Sequence, residues 1–188
     1  MKVFKFGGAS VKDAAGVQNL VLVLEKVGFK ETLIVVSAMG KTTNALEAII
    51  ETYFKIKKQT PTGILPLKKF HLDVVKDLFR EESGEVEAVI HQLFEELIAF
   101  FNTNKSPDYS FVYDQVVSYG ELLSTTIIHH FVQKKKMDSF WLDARNCIKT
   151  DNYYRSANLN WELTLNKINQ QIGKNSLIIT QGFIGSNS

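Results

Sequence analysis

MKVFKFGGASVKD (residues 1–13) begins with a short apolar run, Val3 to Phe6, that has Lys2 and Lys5 near its ends and meets two adjacent glycines, Gly7 and Gly8. The run reads as a strand and the residues after it as a helix. Val17, Leu20, Val21 and Leu24 recur at helical spacing. Ser10 or Asp13 is placed to cap that helix, and Gly28 to end it. TLIVVSA (32–38) is a continuous, β-branched apolar run, the pattern of a strand buried on both faces in a parallel sheet. Residues 1–38 thus make one β-α-β unit, expected to cross over right-handed.

A strand, a glycine pair and a helix together build an anion site. Glycines let a polyanion approach the backbone amides, and the helix start adds unpaired N–H groups and partial positive charge. Lys5 ends the strand and can point at the same anion, which makes phosphate the expected ligand. A tight turn that needs glycine for packing alone is the alternative, and two glycines do not separate the readings. Neither common nucleotide signature is present. GGASVK lacks the G-x-G-x-x-G spacing, and GKT at Gly40–Thr42 lacks the earlier glycine of a Walker loop, since position 35 is Val35. Lys41 therefore reads as solvated.

Further along, helical spacing covers residues 41–58, 67–80 and 85–102, with a break at QTPTGILP (59–66) and a loop at NKSPD (104–108). A long amphipathic pattern runs from Tyr109 to Lys136 through Val112, Val116, Tyr119, Leu123, Ile127 and Phe131. DSFWLDA (138–144) is a third strand and CIKT a short fourth; residues 159–172 are helical, and SLIITQGFIG (176–185) is a further strand. Strands separated by helices give an α/β fold with a largely parallel sheet, helices on both faces and a large helical insertion over about 41–136. The chain stops at GSNS with no helix to cover the preceding strand. The expectation is the first part of a longer fold, with apolar sheet surface exposed or buried against a second copy in a homo-oligomer. An edge strand with a polar tail is the alternative.

The bulk numbers fit this picture. The chain has 188 residues, 45% hydrophobic and 22% charged, with a net charge of +2, too small to suggest nucleic acid. Lys55, Lys57, Lys58 and Lys134 to Lys136 read as solvated helix ends. The single cysteine, Cys147, excludes an intrachain disulfide. No run is long enough for a membrane span and the start is not a signal peptide, so a cytoplasmic protein without membrane partners is expected. His71, His91, His129 and His130 lack metal-ligand spacing, so no protein-held metal is expected.

Two more segments carry polar chemistry. In VVSAMGKTTN (35–44), Ser37, Thr43 and Asn44 fall beyond the carboxyl end of a strand, where open parallel sheets bind ligands. Helix capping by Thr42 or Thr43 is compatible with that role. In SYGELLS (118–124), Gly120 sits mid-helix at a cost of about 1 kcal/mol relative to alanine, which points to close approach of a backbone or ligand. Glu121 beside it can hold an ammonium group, although helix position alone favours an exposed carboxylate.

KFGGAS (5–10), VVSAMGKTTN (35–44), SYGELLS (118–124), DAR (143–145) and ITQGFIGS (179–186), in this order, resemble the aspartate kinases of the amino acid kinase family. The resemblance implies phosphoryl transfer from ATP, with Mg2+ held mainly through the nucleotide phosphates, to the β-carboxylate of L-aspartate. The product would be 4-phospho-L-aspartate, on the way to lysine, threonine and methionine. It implies that Lys5 neutralises the transferring phosphoryl group, and that Gly7, Gly8 and Ser10 bind the nucleotide phosphates. Ser37, Thr43, Asn44 and Glu121 would hold aspartate, Glu121 through the α-ammonium, with Phe183 against the substrate. Two departures stand out. Ala9 replaces the family's usual threonine, and the family continues past this point with a GRGGSD segment whose arginine binds the substrate carboxylate. An inactive fragment is therefore expected, and a non-catalytic aspartate-binding or regulatory module is the alternative.

Overall fold

The computed structural model describes residues 1–56, 62–173 and 176–187. Lys57, Lys58, residues 59–61 of the 59–66 break and the terminal Ser188 lie outside them. The opening unit is β1 (Lys2–Phe6), α1 (Ala14–Val27) and β2 (Thr32–Val36). The two strands pair in parallel, with Lys5 opposite Val35. Asp13, not Ser10, caps α1: its carboxylate accepts from the Gly16 N–H at 2.8 Å. Gly28 ends α1 with φ 77°, a backbone region that favours glycine.

Helices α2 (Thr42–Lys55), α3 (Ile64–Phe79), α4 (Gly84–Thr103) and α5 (Tyr109–Lys134) come before the next strand, β3 (Phe140–Leu142). Then follow β4 (Lys149–Thr150), α6 (Trp161–Ile172), β5 (Leu177–Gln181) and β6 (Ser186–Asn187). The main sheet has the order β1-β2-β5-β3, and all its pairs are parallel. β4 and β6 form a separate parallel pair.

Side chains alternate along each strand, so the sheet has two unlike faces. Phe4, Ile34, Val36, Leu177 and Ile179 join α1 and the long helices in the main core. Leu33, Ile178 and Leu142 face the other way, against Ile168 and Ile172 of α6. Helices thus cover both faces, but unequally. On the α6 side Val3 is 60% exposed, and Leu33 and Val35 line a cavity of ≈ 670 Å³. The expectation that β2 is buried on both faces is corrected here: Thr32, Ile34 and Val36 are buried, whereas Leu33 and Val35 are only half-buried. One helix cannot cover the width of four strands. Lys134 also departs from a solvated helix end. Its Nζ pairs with Glu82 at 2.8 Å, donates to the Phe79 carbonyl at 3.0 Å and lies over the Phe79 ring.

The middle of α5 is buried all round, from Gly120 to Ile128, because it runs between the sheet and the other helices. Gly120 marks its closest approach. A Cβ there would lie 2.9 Å from the Ala38 Cβ, 3.4 Å from Leu46 Cδ1 and 3.5 Å from Thr42 Cγ2. The mid-helix glycine is therefore explained by a neighbouring chain segment. Two effects compete in Gly120→Ala: helix propensity gains about 1 kcal/mol, and overpacking costs about 1–3 kcal/mol. The Ala38 Cβ is fixed to its backbone and cannot swing aside, so overpacking wins. Gly120→Ala is expected to lower the urea midpoint without changing the m-value; a raised midpoint would contradict the close contact.

Candidate functional site

β1 and β2 end side by side, and their following segments are laced together through the backbone. The Ser37 N–H donates to the Phe6 carbonyl at 3.1 Å, and the Gly40 N–H to the Gly8 carbonyl at 3.0 Å. The two glycines play different parts. A Cβ on Gly8 would lie 2.5 Å from the Ala38 carbonyl oxygen and 3.3 Å from that of Gly40, whereas a Cβ on Gly7 would meet nothing within 4 Å. Packing thus accounts for Gly8, and Gly7 leaves its backbone face open.

Lys5 is exposed, and its side chain has no hydrogen bond or ion pair among the described residues. Ala9 and Ser10 are exposed in the turn before α1, where the Ser10 N–H donates to the Gly7 carbonyl at 2.9 Å. An open glycine face, an uncommitted ammonium and an exposed hydroxyl are a donor set that fits phosphate oxygens.

Glu121 is buried, 3% exposed, against the expectation from helix position. Its Oε1 accepts from the Ala38 N–H at 3.2 Å, and its Oε2 has no partner. Burial pushes this carboxyl up from 4.5 to about 7, with the Ala38 N–H pulling the other way. Ser124, one turn on, donates to the Ser37 carbonyl at 2.9 Å. The structure therefore brings Ser37, Ala38 and Glu121 together. Thr43 is half-buried and Asn44 exposed in the first turn of α2, close to the same segment. Neither Thr42 nor Thr43 caps α2: the N-cap residue is Lys41, which makes no side-chain cap bond. The Thr42 hydroxyl instead faces His71 Nε2 at 3.4 Å. Among the described residues, no group of three or more His, Cys, Asp or Glu side chains could hold a metal ion.

Phe183 is 76% exposed with φ 68°. It lines the ≈ 670 Å³ cavity together with Val35, Asp114, Arg155, Gln181 and Ile184, and none of the other named site residues does so. The link between the two regions is a buried polar network that sequence reasoning missed. Gln181 Nε2 donates to Thr125 Oγ1 at 2.8 Å, and its Oε1 accepts from the Ala144 N–H at 2.7 Å. Thr125 Oγ1 in turn donates to the Glu121 carbonyl at 2.8 Å and accepts from Trp141 Nε1 at 3.0 Å. An amide at the end of a strand buried along its whole length was the available signal. Asp143 and Arg145 of the DAR segment form a two-pronged pair, with contacts of 3.0 and 2.6 Å.

An aspartokinase of Chlamydia pneumoniae is 27% identical over 187 residues, spanning 98% of this chain and 39% of that protein. Lysine-sensitive aspartokinase 3 of Escherichia coli (strain K12) is 26% identical over 196 residues, spanning 98% and 40%. The chain thus spans about two fifths of the length of these curated relatives. Among solved structures, E. coli aspartokinase III in complex with lysine and aspartate (T-state) superposes with a TM-score of 0.85 at 23% identity, covering 100% of this chain and 42% of that one. The same enzyme with aspartate and ADP (R-state) gives 0.84 at 24%, with the same coverage. These likenesses show the fold. The model of the amino acid kinase family matches residues 1–188, and the chain therefore belongs to the amino acid kinase family.

Proposed function

We propose that this chain is the acceptor- and phosphate-binding part of an aspartate kinase, which transfers the γ-phosphoryl group of ATP to the β-carboxylate of L-aspartate. The observation that carries the reading is Glu121: a buried carboxylate with one oxygen unpartnered, beside the seam of the two glycine-containing segments. Such a group costs stability unless something positive meets it. The α-ammonium of an amino acid supplies that charge and three donors. Ser37, Thr43 and Asn44 would orient the rest of aspartate, and Phe183 would form a side wall. The relative solved with aspartate and ADP supports both ligands.

In this reading a β-carboxylate oxygen attacks the γ-phosphorus, the bond to the ADP oxygen breaks, and ADP leaves. Such transfer depends on positioning and charge stabilisation more than on covalent participation. Lys5 neutralises charge on the moving phosphoryl group, Gly7 and Gly8 offer backbone N–H groups, and Ser10 adds a hydroxyl. Mg2+ would enter on the nucleotide phosphates and screen their charge.

Three outcomes test this. Glu121 has a higher pKa folded than its ordinary 4.5, so its ionisation penalises the folded state. The penalty is absent below about pH 4.5 and complete above about 7, where it amounts to roughly 3–4 kcal/mol. Glu121→Gln should therefore unfold at higher temperature than the parent at pH 8, and the difference should vanish near pH 4. L-aspartate should bind the parent more tightly as pH rises through about 7, because the ammonium needs the ionised carboxylate. Calorimetry on Glu121→Gln should show at least tenfold weaker binding and no such pH dependence; equal binding would remove Glu121 from the acceptor site.

Phosphate binding is tested separately. Lys5→Ala, in an active enzyme that includes this chain, should lower kcat about 100-fold or more. An unchanged turnover number would remove Lys5 from the mechanism. The chain by itself, at about two fifths of its relatives' length, is expected to show little or no phosphotransfer, and full-rate turnover by residues 1–188 would contradict that.

A further inference from the structure

α2 starts without the usual local devices. Its N-cap residue, Lys41, makes no side-chain cap bond, and its first turn holds no acid. Its backbone is tied by the Thr42 N–H to the Met39 carbonyl and the Ala45 N–H to the Lys41 carbonyl, both at 3.0 Å, and His71 of α3 meets its side chains. His71 is 0% exposed, with Phe70 at 4.9 Å and Phe94 at 5.8 Å between ring centroids. Its Nδ1 lies 2.9 Å from the Leu67 carbonyl. A carbonyl only accepts, so Nδ1 carries the proton and Nε2 offers a lone pair. The Thr42 hydroxyl, 3.4 Å from Nε2, is then the donor.

Thr42 is pinned on its other side too, since its methyl group fits against Gly120. Thr43 follows, turned by about 100° on the helix. It is half-buried, and its hydroxyl has no hydrogen bond among the described residues. One threonine is held and the next is free to meet a ligand. Burial keeps the imidazole neutral by pushing it down to about 4, so the latch is set throughout the neutral range.

We propose that His71 is a positioning residue: through the Thr42 hydroxyl it fixes the rotation of the first turn of α2, and so aims the Thr43 hydroxyl at the acceptor site. The proposal rests on the acceptor-site reading for its ligand, but the latch itself has a readout without ligand. His71→Gln can place an amide oxygen near the Nε2 position and still accept from Thr42. His71→Asn keeps only the bond to Leu67. Thr42→Val removes the hydroxyl at nearly constant shape, so it folds even if His71→Asn does not.

Amide exchange at Ala45, whose N–H donates to the Lys41 carbonyl at 3.0 Å across that first turn, followed by NMR on the ligand-free chain, should be about tenfold faster in Thr42→Val and His71→Asn. In His71→Gln it should stay within about twofold of the parent. L-aspartate affinity should follow the same order, with Thr42→Val about 5–10-fold weaker and the His71→Asn/Thr42→Val double variant no weaker than Thr42→Val alone. A merely structural histidine would give additive losses and no rescue by glutamine, which would overturn the proposal. So would parental exchange rates in Thr42→Val. If the parent does not bind aspartate but the exchange pattern holds, the acceptor reading fails and the latch stands. Parental binding with unchanged variants sinks the latch alone.

Discussion

Residue 8 has no room for a side chain. The Ala38 carbonyl stands 2.5 Å from where its Cβ would be, and this contact sets the spacing of everything around it. It lets the segment after β1 lie directly on the segment after β2, with the Gly40 N–H bonded to the Gly8 carbonyl. A second glycine repeats the device one layer down: Gly120 brings α5 against the Cβ of the same Ala38. Two strand ends and a helix thus meet at backbone distance around one residue. The Ala38 N–H then reaches Glu121, while Gly7 remains open above. The open Gly7 face and the buried Glu121 carboxylate both flank one seam because no Cβ separates the chains there.

That arrangement opposes stability. A carboxylate held in the middle of a helix buried all round is poorly solvated, and one N–H satisfies only one of its oxygens. The same helix brings Val116, Leu123, Ile127, Ile128 and Phe131 into the interior, and these dominate its energetics. The core can therefore carry one unfavourable group. Glu121 is a departure from local consistency, with its ionisation penalty confined to the neutral and alkaline range.

Much of the fold was legible because it is written in local periodicity. The opening strand–helix–strand unit, the helical runs before β3 and the strand at 177–181 all follow from apolar spacing. What periodicity cannot show is which neighbour arrives from a distance. The half-covered face of β2 depends on α6 being a single helix, a matter of packing rather than of the TLIVV run itself. Thr42 looks like a cap residue by type, but a histidine from α3 takes its hydroxyl. Gly7 and Gly8 are indistinguishable as letters; only the Ala38 carbonyl separates the packing glycine from the open one. Glu121 was found by its place beside Gly120, yet its burial was not, since a helix buried on every side has no polar face to read. Gln181 was missed because its two partners, Ala144 and Thr125, are 37 and 56 residues away.

Gln181 also explains how an exposed aromatic can be held in a costly conformation. Its amide is committed at both ends, and the next residue is fixed as well, the Gly182 N–H donating to the Val36 carbonyl at 3.0 Å. Beyond the turn, Ile184 is buried and the Ser186 hydroxyl donates to the Arg145 carbonyl at 2.7 Å. Phe183 lies between these anchors at φ 68°, a region that costs a non-glycine residue about 1–2 kcal/mol. The anchors impose that backbone and point the ring outward, where burial returns nothing to the fold. A ring presented at such cost along the lining of a cavity fits a contact made with a ligand better than one made with the core. The chain of bonds from Gln181 through Thr125 to the Glu121 carbonyl then ties the segment bearing that ring to the helix bearing the buried carboxylate, so the two share one support.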